Sequence, residues 1–356
     1  MTLTLSISKK TPSDRQSSSK STRRAVLTGS ASLITSSLLP HRLRAQTQPD
    51  KISIAMAAGN LTPVLEEIMR QQGFLTRFGL SSEPLYVSDG TKIMGSILAG
   101  EIDLCPMAGF AQVFPAVEKG AHLKIVNGGV LLGQQTVFSA NPAVKSISDL
   151  KGKTIGVGSL GAQLHQVMVA LLIKNGVDPA DVTFANIGSS PDVFRAVAAK
   201  VIDAGPAQID FLPQLDRTNV HVVQGGDMWT NLPEYPFQGG FTSDRMIKDK
   251  RELLVRALSA YALVFRFVSS PGSLDSFKEA RRKVLNGKDA DFDAASEFQW
   301  RFFQTAKPLA TDLIIPDERL NYVQDLHLRF NVQQKKLMLD DVADMSLARD
   351  AIARLG

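Results

Sequence analysis

The sequence predicts an α/β protein of two lobes that are joined by a two-strand hinge and followed by a helical C-terminal tail. Short apolar runs alternate with helical stretches, an alternation typical of a largely parallel sheet covered by helices. The order of these elements in residues 51–132 recurs in residues 146–225, which indicates two lobes of related plan. After residue 245 the apolar spacing is almost wholly helical, which predicts the tail.

The first series consists of three strand-to-helix steps. In the first step Asn60 or Thr62 supplies a polar cap and Pro63 stands in the first helical turn, which together mark a helix start. The strand of the second step ends at Val87, and the third step has a short buried strand. The steps occupy residues 51–69, 84–100 and 101–110.

The second series follows the same plan. A strand over Thr154–Val157 leads through a glycine loop to a helix over residues 162–174. Residues 181–200 are predicted to form a strand, a polar cap and a helix. The run VIDAGPAQIDFLPQL (201–215) matches EIDLCPMAGFAQVF (101–114) in order, with a short strand starting Ile-Asp, a proline-containing loop and a helix.

Two extended segments, residues 131–137 and 236–242, are expected to cross between the lobes. A chain that crosses twice forms a two-strand hinge, which suits closure of the lobes about a ligand held between them. The sequence therefore predicts three parts. These are a leader at residues 1–45, lobe I at residues 50–132 plus 238–350, and lobe II at residues 136–235.

The leader is expected to be an export signal. Arg23 and Arg24 precede the mildly apolar run AVLTGSASLITSSLL (25–39), which is the order of a secretory signal, and the paired arginines are typical of the twin-arginine type. The run ends before Pro40 and is shorter than the roughly 20 apolar residues that span a bilayer. Cleavage after Ala45 would release a soluble exported protein.

The charge balance changes once the leader is set aside. The chain has 40 Lys and Arg against 35 Asp and Glu, a formal net charge of +5. Residues 1–45 hold eight of the basic side chains and one of the acidic ones, so 32 and 34 remain and the net charge becomes −2. The excess of basic residues therefore belongs to targeting, and no nucleic-acid partner is predicted.

Residues that serve metals, disulfides and nucleophilic catalysis are sparse. The single cysteine, Cys105, excludes an internal disulfide and a C-x-x-C site, and we expect it to be a small buried hydrophobic residue. Outside the leader the four histidines are widely scattered, and the sequence has neither H-E-x-x-H nor G-x-S-x-G. We therefore predict a binding protein with no catalytic residue, no metal and no cofactor.

The run IGVGSLGAQLHQ contains the G-x-G-x-x-G spacing of dinucleotide-binding folds at Gly156, Gly158 and Gly161. Such a fold also needs an acid at the end of the second strand, but here the strand VTFANI (182–187) is followed by Gly-Ser-Ser-Pro. We therefore interpret the loop as a helix N-terminus that offers the N–H groups of residues 159–162 to an anionic group. A strand-to-helix turn without ligand contact is the alternative.

Three stretches resemble a family of periplasmic solute-binding proteins of ABC importers, the SsuA/THI5-like or NMT1-like family of the sulfonate/nitrate/taurine group. SISDLKGKTIGVGSLG (146–161) resembles the segment that opens the family's second lobe. ILAGEIDLCPMAG (97–109) resembles its first-lobe step of helix, Gly, hydrophobic residue and Asp. AVAAKVIDAGPAQIDF (196–211) resembles the second-lobe counterpart, with Lys200 where glycine is common, and the likeness extends over residues 50–345.

The resemblance implies a type II periplasmic binding protein fold with a small organic solute in the cleft between the lobes. It further implies that the closed form docks on an ABC permease in the inner membrane, and we expect a periplasmic monomer. Sulfonate-like, carboxylate and pyrimidine-like molecules are the solute classes it suggests. Two alternatives stay open: a ligand sensor without transport, and a thiamine-pyrimidine-forming enzyme of the same fold, from whose cysteine cluster this chain departs.

Ligand contacts are expected from the loops that follow the strands, because ligands bind beyond the carboxyl ends of parallel strands. Met107 with Phe110 is predicted to cover an apolar part of the ligand, while helix capping is the alternative task of Asp89 and the other polar loop residues. These loops contain no arginine, which argues against a tightly held sulfonate or nitrate. The predicted ligand-binding residues are Asn60, Asp89, Gly90, Met107, Ala108, Gly109, Gln134, Ser159, Leu160, Gly161, Gln163, Gly188, Ser189, Gln208 and Tyr235.

Overall fold

The computed structural model describes residues 48–88 and 90–356, so the predicted leader (1–45) and Asp89 lie outside the described residues. The strands alternate with helices along the first two thirds of the chain, as the sequence predicts. The strands are β1 (Asp50–Lys51), β2 (Ala55–Ala57), β3 (Leu80–Ser81), β4 (Leu85–Val87), β5 (Cys105–Ala108), β6 (Leu123–Gly128), β7 (Gln135–Ser139), β8 (Thr154–Val157), β9 (Thr183–Asn186), β10 (Ala204–Gln208), β11 (His221–Val222) and β12 (Gly239–Ser243).

The helices cover the sheets and form the whole of the C-terminal tail beyond β12, which confirms the predicted helical tail. The helices are α1 (Leu61–Gln71), α2 (Phe74–Arg77), α3 (Gly90–Ala99), α4 (Val113–Glu118), α5 (Gln163–Lys174), α6 (Ser190–Ala198), α7 (Met228–Asn231), α8 (Asp244–Val268), α9 (Leu274–Leu285), α10 (Ala290–Ala306), α11 (Asp317–Arg329), α12 (Leu339–Val342) and α13 (Ser346–Ala353). Short 3-10 helices lie at Ile147–Leu150, Pro179–Asp181, Ile209–Arg217 and Pro271–Ser273.

Two groups of strands correspond to the two predicted lobes. In lobe II the strands form one five-stranded sheet in the order β11-β7-β10-β8-β9. In lobe I the order is β5-β12-β6, and a parallel bridge between Ile54 and Leu104 brings the β2-β4 pair alongside β5. The exact lobe boundaries given by the sequence, at residues 132, 136, 235 and 238, stay a prediction.

The expectation of largely parallel sheets is wrong at the crossing strands. β8 pairs in parallel with β9 and β10, but β7 lies antiparallel to β10 and β11. In the other lobe β12 lies antiparallel to both β5 and β6. The physical reason is the connection: β7 and β12 each enter their sheet from the opposite lobe, whereas the strands beside them are entered from within their own lobe.

A pair of aspartates performs the same structural task in each lobe. Asp103 donates its N–H to the Ser53 carbonyl and accepts the Ser53 N–H on its carboxylate at 2.9 Å. Asp203 repeats this exchange with Thr154, also at 2.9 Å from N–H to carboxylate. A carboxylate that accepts a backbone N–H makes one of the stronger hydrogen bonds in a protein. In each lobe the aspartate of the Ile-Asp repeat therefore fixes the position at which a neighbouring strand starts.

The same aspartates hold the crossing strands. Thr242 of β12 donates its hydroxyl to the Asp103 carbonyl at 2.6 Å, and Ser139 of β7 donates its hydroxyl to the Asp203 carbonyl at 2.6 Å. Thr242 and Ser139 are fully buried and Asp103 is 6% exposed, whereas Asp203 is half-buried. Each lobe thus ties its crossing strand to the same point of its sheet.

The residue three positions before each aspartate has a left-handed backbone. Gly100 has φ +82° and Lys200 has φ +58°. A side chain in this conformation costs about 1–2 kcal/mol, which glycine avoids. This cost explains why glycine is common at position 200 in the family that the sequence resembles. Lys200 therefore lowers the stability of the fold at this turn.

We expect Lys200→Gly to raise the free energy of unfolding by about 0.5–1 kcal/mol, because the relieved strain exceeds the entropy that glycine loses on folding. Lys200→Ala is the control, since it removes the charge and keeps the Cβ atom. Urea unfolding followed by circular dichroism measures both, and an equal gain in the two variants would contradict the conformational explanation.

Two neighbouring glutamates of α1, Glu66 and Glu67, have pKa values that are shifted in opposite directions. Burial raises the pKa of Glu66 to about 7, although the Tyr261 hydroxyl beside it partly offsets the effect. The Arg70 guanidinium lowers the pKa of Glu67 to about 2, with further hydrogen bonds from Lys283 and Gln71. Glu66 is therefore partly protonated at neutral pH, whereas Glu67 is fully ionised.

Glu66→Gln is expected to leave the free energy of unfolding unchanged near pH 4 and to raise it by about 3 kcal/mol at pH 8. The folded state keeps the Glu66 proton between pH 4.5 and 7 while the unfolded chain releases it, so the wild type loses stability as pH rises through that window. Glu67→Gln serves as the matched control and is expected to lower stability at pH 8. Denaturant titrations at the two pH values measure this, and a pH-independent effect of Glu66→Gln would contradict it.

Cys105 is fully buried in β5, so the expectation of a small buried hydrophobic residue is confirmed. Within residues 48–88 and 90–356, no single helix is both long and apolar enough to cross a membrane. By length and composition, α8 passes that test only together with Pro271–Leu285, to which it is bent by 89°.

Candidate functional site

A cavity of about 110 Å³ lies between the two lobes. Its lining comes from the loop after β2, from the loops that open α5 and α6, and from both segments that cross between the lobes. Six residues predicted from the sequence are among the lining: Gln134, Ser159, Gln163, Gly188, Ser189 and Gln208.

Other lining residues were missed by the sequence reasoning. Most of them could have been inferred from the sequence, because they adjoin predicted residues in the same loops or lie in the second segment that crosses between the lobes. Gln135 follows Gln134 at the start of β7, and Gln238 immediately precedes β12. The missed residues used below are Thr62, Gln135, Phe237 and Gln238.

The remaining described candidates do not line this cavity; they are Asn60, Gly90, Met107, Ala108, Gly109, Leu160, Gly161 and Tyr235. Asn60 neither lines it nor caps α1 with its side chain, because its amide donates to the Asp210 carboxylate at 3.1 Å. Thr62 does not cap α1 either, since its hydroxyl donates to the Ala57 carbonyl at 2.7 Å. Asp89 lies outside the described residues.

The predicted apolar contact from Met107 and Phe110 is not made at this cavity. Both side chains are 1% exposed and belong to the core of lobe I, as does Ala108. The physical reason is strand alternation combined with a fully buried β5: its side chains fill the core on both faces of the sheet.

Gly109 and Leu160 lie next to the cavity without lining it. A Cβ atom on Gly109 would lie 2.7 Å from the Gln163 Cβ, so glycine at this position permits the close approach of the two lobes. The Gln163 amide donates to the Phe237 carbonyl and thereby contacts the second crossing. Leu160 is 64% exposed and points to solvent.

The glycines of the G-x-G-x-x-G run are explained by packing. A Cβ atom on Gly156 would lie 2.2 Å from the Ile202 side chain, and one on Gly158 would lie 3.2 Å from the Gly188 carbonyl. Gly161 has φ +82°, which favours glycine. The spacing therefore follows from a tight strand-to-helix turn that packs against its neighbours.

Some of the N–H groups at the two helix starts have hydrogen-bond partners within the protein. The Gly161 N–H donates to His165 Nδ1 at 3.1 Å, and the Ala162 N–H donates to the Ser159 carbonyl at 2.9 Å. At α6 the Ser189 N–H and hydroxyl both donate to the Asp192 carboxylate, and these bonds lower the pKa of Asp192. The carboxylate of the chain itself thus fills the position that an anionic ligand would take at α6.

On one side of the cavity a buried ion pair links the lobes. Arg281 of α9 contacts the Asp210 carboxylate at 3.2 Å, and their side chains are 3% and 4% exposed. Arg281 also donates to Gln299 and Ser296 of α10, and the Gln299 amide donates to Gln134 Oε1 at 3.3 Å. Together with the Asn60 bond to Asp210, this network joins lobe II to α1 and to the C-terminal helices.

On the other side, Gln166 of α5 is the central residue of a second network. Its Nε2 donates to the Gly161 carbonyl at 2.8 Å, so its Oε1 accepts the Tyr235 hydroxyl at 3.0 Å. The same Oε1 lies 3.2 Å from Nε2 of His327 on α11, whose pKa is lowered to about 4 by burial. Tyr235, 1% exposed, therefore supports Gln166 from within lobe II and does not line the cavity, while the contact between Gln166 and His327 connects the lobes.

Gly161 and Tyr235 border a different cavity, of about 340 Å³, between α5 and α11. Its lining is mostly apolar and includes Val169, Phe184 and Phe330. His165 lies here with its ring edge-on to Phe184 at 4.5 Å, and burial lowers the pKa of its imidazole. The structure thus separates residues that the sequence placed in a single site.

No charged side chain occurs among the described residues that line the 110 Å³ cavity. Nor do the described ranges contain a group of three or more His, Cys, Asp and Glu side chains placed to hold a metal ion. The chemistry that the cavity offers is hydrogen bonding from amides, hydroxyls and backbone groups.

The chain is similar to one protein family and to several solved structures. A model of the family described as NMT1/THI5 like matches residues 68–266, which is more than half of the chain. No curated protein sequence matches the chain. The family resemblance inferred from the sequence is thereby confirmed.

Three structures illustrate the fold. The alkanesulfonate-binding protein SsuA from Xanthomonas axonopodis pv. citri, bound to MOPS, has a TM-score of 0.65 at 17% identity, over 85% of this chain and 98% of that chain. The periplasmic nitrate-binding protein NrtA from Synechocystis PCC 6803 has a TM-score of 0.63 at 11% identity, over 86% and 89%. The desulfurization enzyme DSZB has a TM-score of 0.58 at 15% identity, over 86% and 100%.

These likenesses confirm the predicted two-lobed periplasmic binding protein fold. At identities this low they establish the fold alone, and the fold is shared by binding proteins and by an enzyme.

We expect Arg281→Met to lower the free energy of unfolding by about 3–5 kcal/mol, because it leaves the buried Asp210 carboxylate without its cation. Adding Asp210→Asn removes that charge, so the double variant is expected to recover part of the loss. Arg217→Met is the control: its ion pair with Asp291 is exposed, and its loss is expected to cost less than about 1 kcal/mol. Denaturant unfolding measures all three, and equal costs for the two arginines would contradict this assignment.

Proposed function

We propose, from the premise that this chain belongs to the NMT1/THI5-like family, that it is a solute-binding protein which captures a small organic molecule in the 110 Å³ cavity between its lobes. The observation that carries the proposal is the composition of the lining. Both crossing segments contribute, through Gln134 and Gln135 on one and Phe237 and Gln238 on the other. Any rotation of the lobes about these segments therefore changes the shape of the cavity, as solute capture by hinge closure requires.

The two flanking networks support closure. In the conformation described, the lobes touch through Asn60 and Asp210 on one side of the cavity and through Gln166 and His327 on the other. These contacts are polar, and polar contacts re-form with water when lobes separate, so they suit a reversible closing motion. Solute held between the lobes would shift the balance toward the closed form by its own binding free energy.

Delivery to an ABC permease is the further step that we propose. It is supported by the predicted twin-arginine leader and by structural neighbours that are described as periplasmic binding proteins. The proposal places the chain in the periplasm, acting as a monomer that presents its closed form to the permease. A sensor without transport would share every feature except permease recognition.

An enzymatic function of the thiamine-pyrimidine-forming kind finds no support at the cavity. Enzymes of that kind carry a cluster of cysteines, whereas the single cysteine of this chain, Cys105, is fully buried in β5 and does not line the cavity. Burial also raises the pKa of the Cys105 thiol far above its ordinary value, which disfavours the reactive thiolate.

Ser159→Trp is expected to weaken solute binding by at least about tenfold, because the indole would occupy the cavity that Ser159 lines. Native mass spectrometry of the purified chain identifies the co-purifying solute, and calorimetry with that solute measures the affinity. Leu160→Trp is the matched control, since its side chain already points to solvent and its affinity should stay within about twofold.

Small-angle scattering on the same samples tests closure, and saturating solute is expected to reduce the radius of gyration of the wild type. Equal affinities for Ser159→Trp and Leu160→Trp would remove this cavity from the function. Tight binding without compaction would keep the site and reject the closing mechanism.

A further inference from the structure

We infer that the solute is uncharged and carries an N–H group next to a C=O group, as in a carboxamide or a cyclic amide. The inference rests on the proposed function and specifies the chemistry of the same cavity. It comes from two glutamine side chains of lobe II that are placed together and left without partners.

Gln135 of β7 and Gln208 of β10 are direct partners across the antiparallel ladder. Side chains of such a pair project from the same face of the sheet with Cβ atoms about 4.5–5.5 Å apart. Both residues line the cavity. Two carboxamides thus stand side by side at the lobe II surface of the cavity.

Neither amide is satisfied by the protein. Gln135 is 9% exposed, and its Oε1 and the Oε1 of Gln208 are buried without a hydrogen-bond partner among the described residues. Leaving a buried polar atom unpaired costs free energy, and a ligand that supplies the missing partner recovers it. Each amide offers one acceptor and two donors, so its complement is a group that presents a donor and an acceptor together. A carboxamide edge has this pattern.

The surroundings disfavour charged solutes of either sign. The described lining has no cationic side chain to neutralise a sulfonate or carboxylate, and no acid to neutralise a cation. Arg281 lies outside the lining and is already paired with Asp210. At α6 the Ser189 donors are held by Asp192, so this helix start offers an anion little. Burying an unpaired charge is far more costly than burying an amide that is hydrogen-bonded.

The experiment compares probes of one shape and different charge. Benzamide, benzoate and benzenesulfonate form one set, and acetamide, acetate and methanesulfonate form a second, smaller set. Calorimetry on the purified full-length chain gives the affinity of each probe. In each set the amide is expected to bind at least about tenfold more tightly than both anions.

Gln135→Met and Gln208→Met remove the amides while keeping side-chain length, and each is expected to weaken amide binding by about tenfold. The control is Gln72→Met, an exposed glutamine at the end of α1, which should leave the affinity unchanged. Thermal unfolding by circular dichroism shows whether each variant is folded, and a folded variant with weakened binding is the supporting result.

Three results would overturn the inference. They are tighter binding of either anion, amide binding that both methionine variants leave intact, and failure of every amide probe to bind. If anions bind and Ser159→Trp blocks them, the proposed solute-binding function survives and only the solute class is wrong. If Ser159→Trp and Leu160→Trp bind the co-purifying solute equally, the cavity itself is wrong.

Discussion

The structure depends on one hydrogen-bonding arrangement that occurs once in each lobe. An aspartate after a buried isoleucine exchanges backbone and carboxylate hydrogen bonds with the start of a neighbouring strand, at Ser53 in one lobe and Thr154 in the other. The carbonyl of the same aspartate accepts a hydroxyl from the crossing strand. Because β7 and β12 are thereby fixed in their sheets, the segments before them are held at the cleft. The positions of Gln135 and Gln238 in the cavity follow from the hydrogen bonds that these two aspartates make with the crossing strands.

Some polar groups around the cavity have hydrogen-bond partners within the protein, and others have none. At the starts of α5 and α6 the N–H groups of Gly161, Ala162 and Ser189 donate to His165, Ser159 and Asp192. The buried Arg281 is satisfied by Asp210 and Gln299. Among the described residues that line the cavity, the buried side-chain oxygens without a partner are those of Gln135 on β7 and Gln208 on β10. SsuA and NrtA share this fold, and the chemistry of the cavity in this chain depends on the side chains that line it.

The glycine loop illustrates how a motif is decided by its surroundings. Its spacing matches a dinucleotide fingerprint, yet each glycine has a packing or conformational reason: Gly156 against Ile202, Gly158 against the Gly188 carbonyl, and Gly161 at positive φ. Its helix start lines the cavity through Ala162 and Gln163. The loop brings α5 to the cleft, and two of its N–H groups, those of Gly161 and Ala162, donate to acceptors of the loop and of α5.

The sequence by itself determined the alternation of strands and helices, the repeated Ile-Asp step, the helical tail and the family, because periodicity and short motifs are local properties of the chain. It also located the loops that reach the cleft, and six of the fourteen described candidates line the cavity. Tertiary structure alone decided the rest. The bond from Asn60 to Asp210, the bond from Tyr235 to Gln166 and the pairing of Gln135 with Gln208 all join residues about 70–150 positions apart. The direction of β7 and β12 was likewise set by their arrival from the opposite lobe, which no local pattern records.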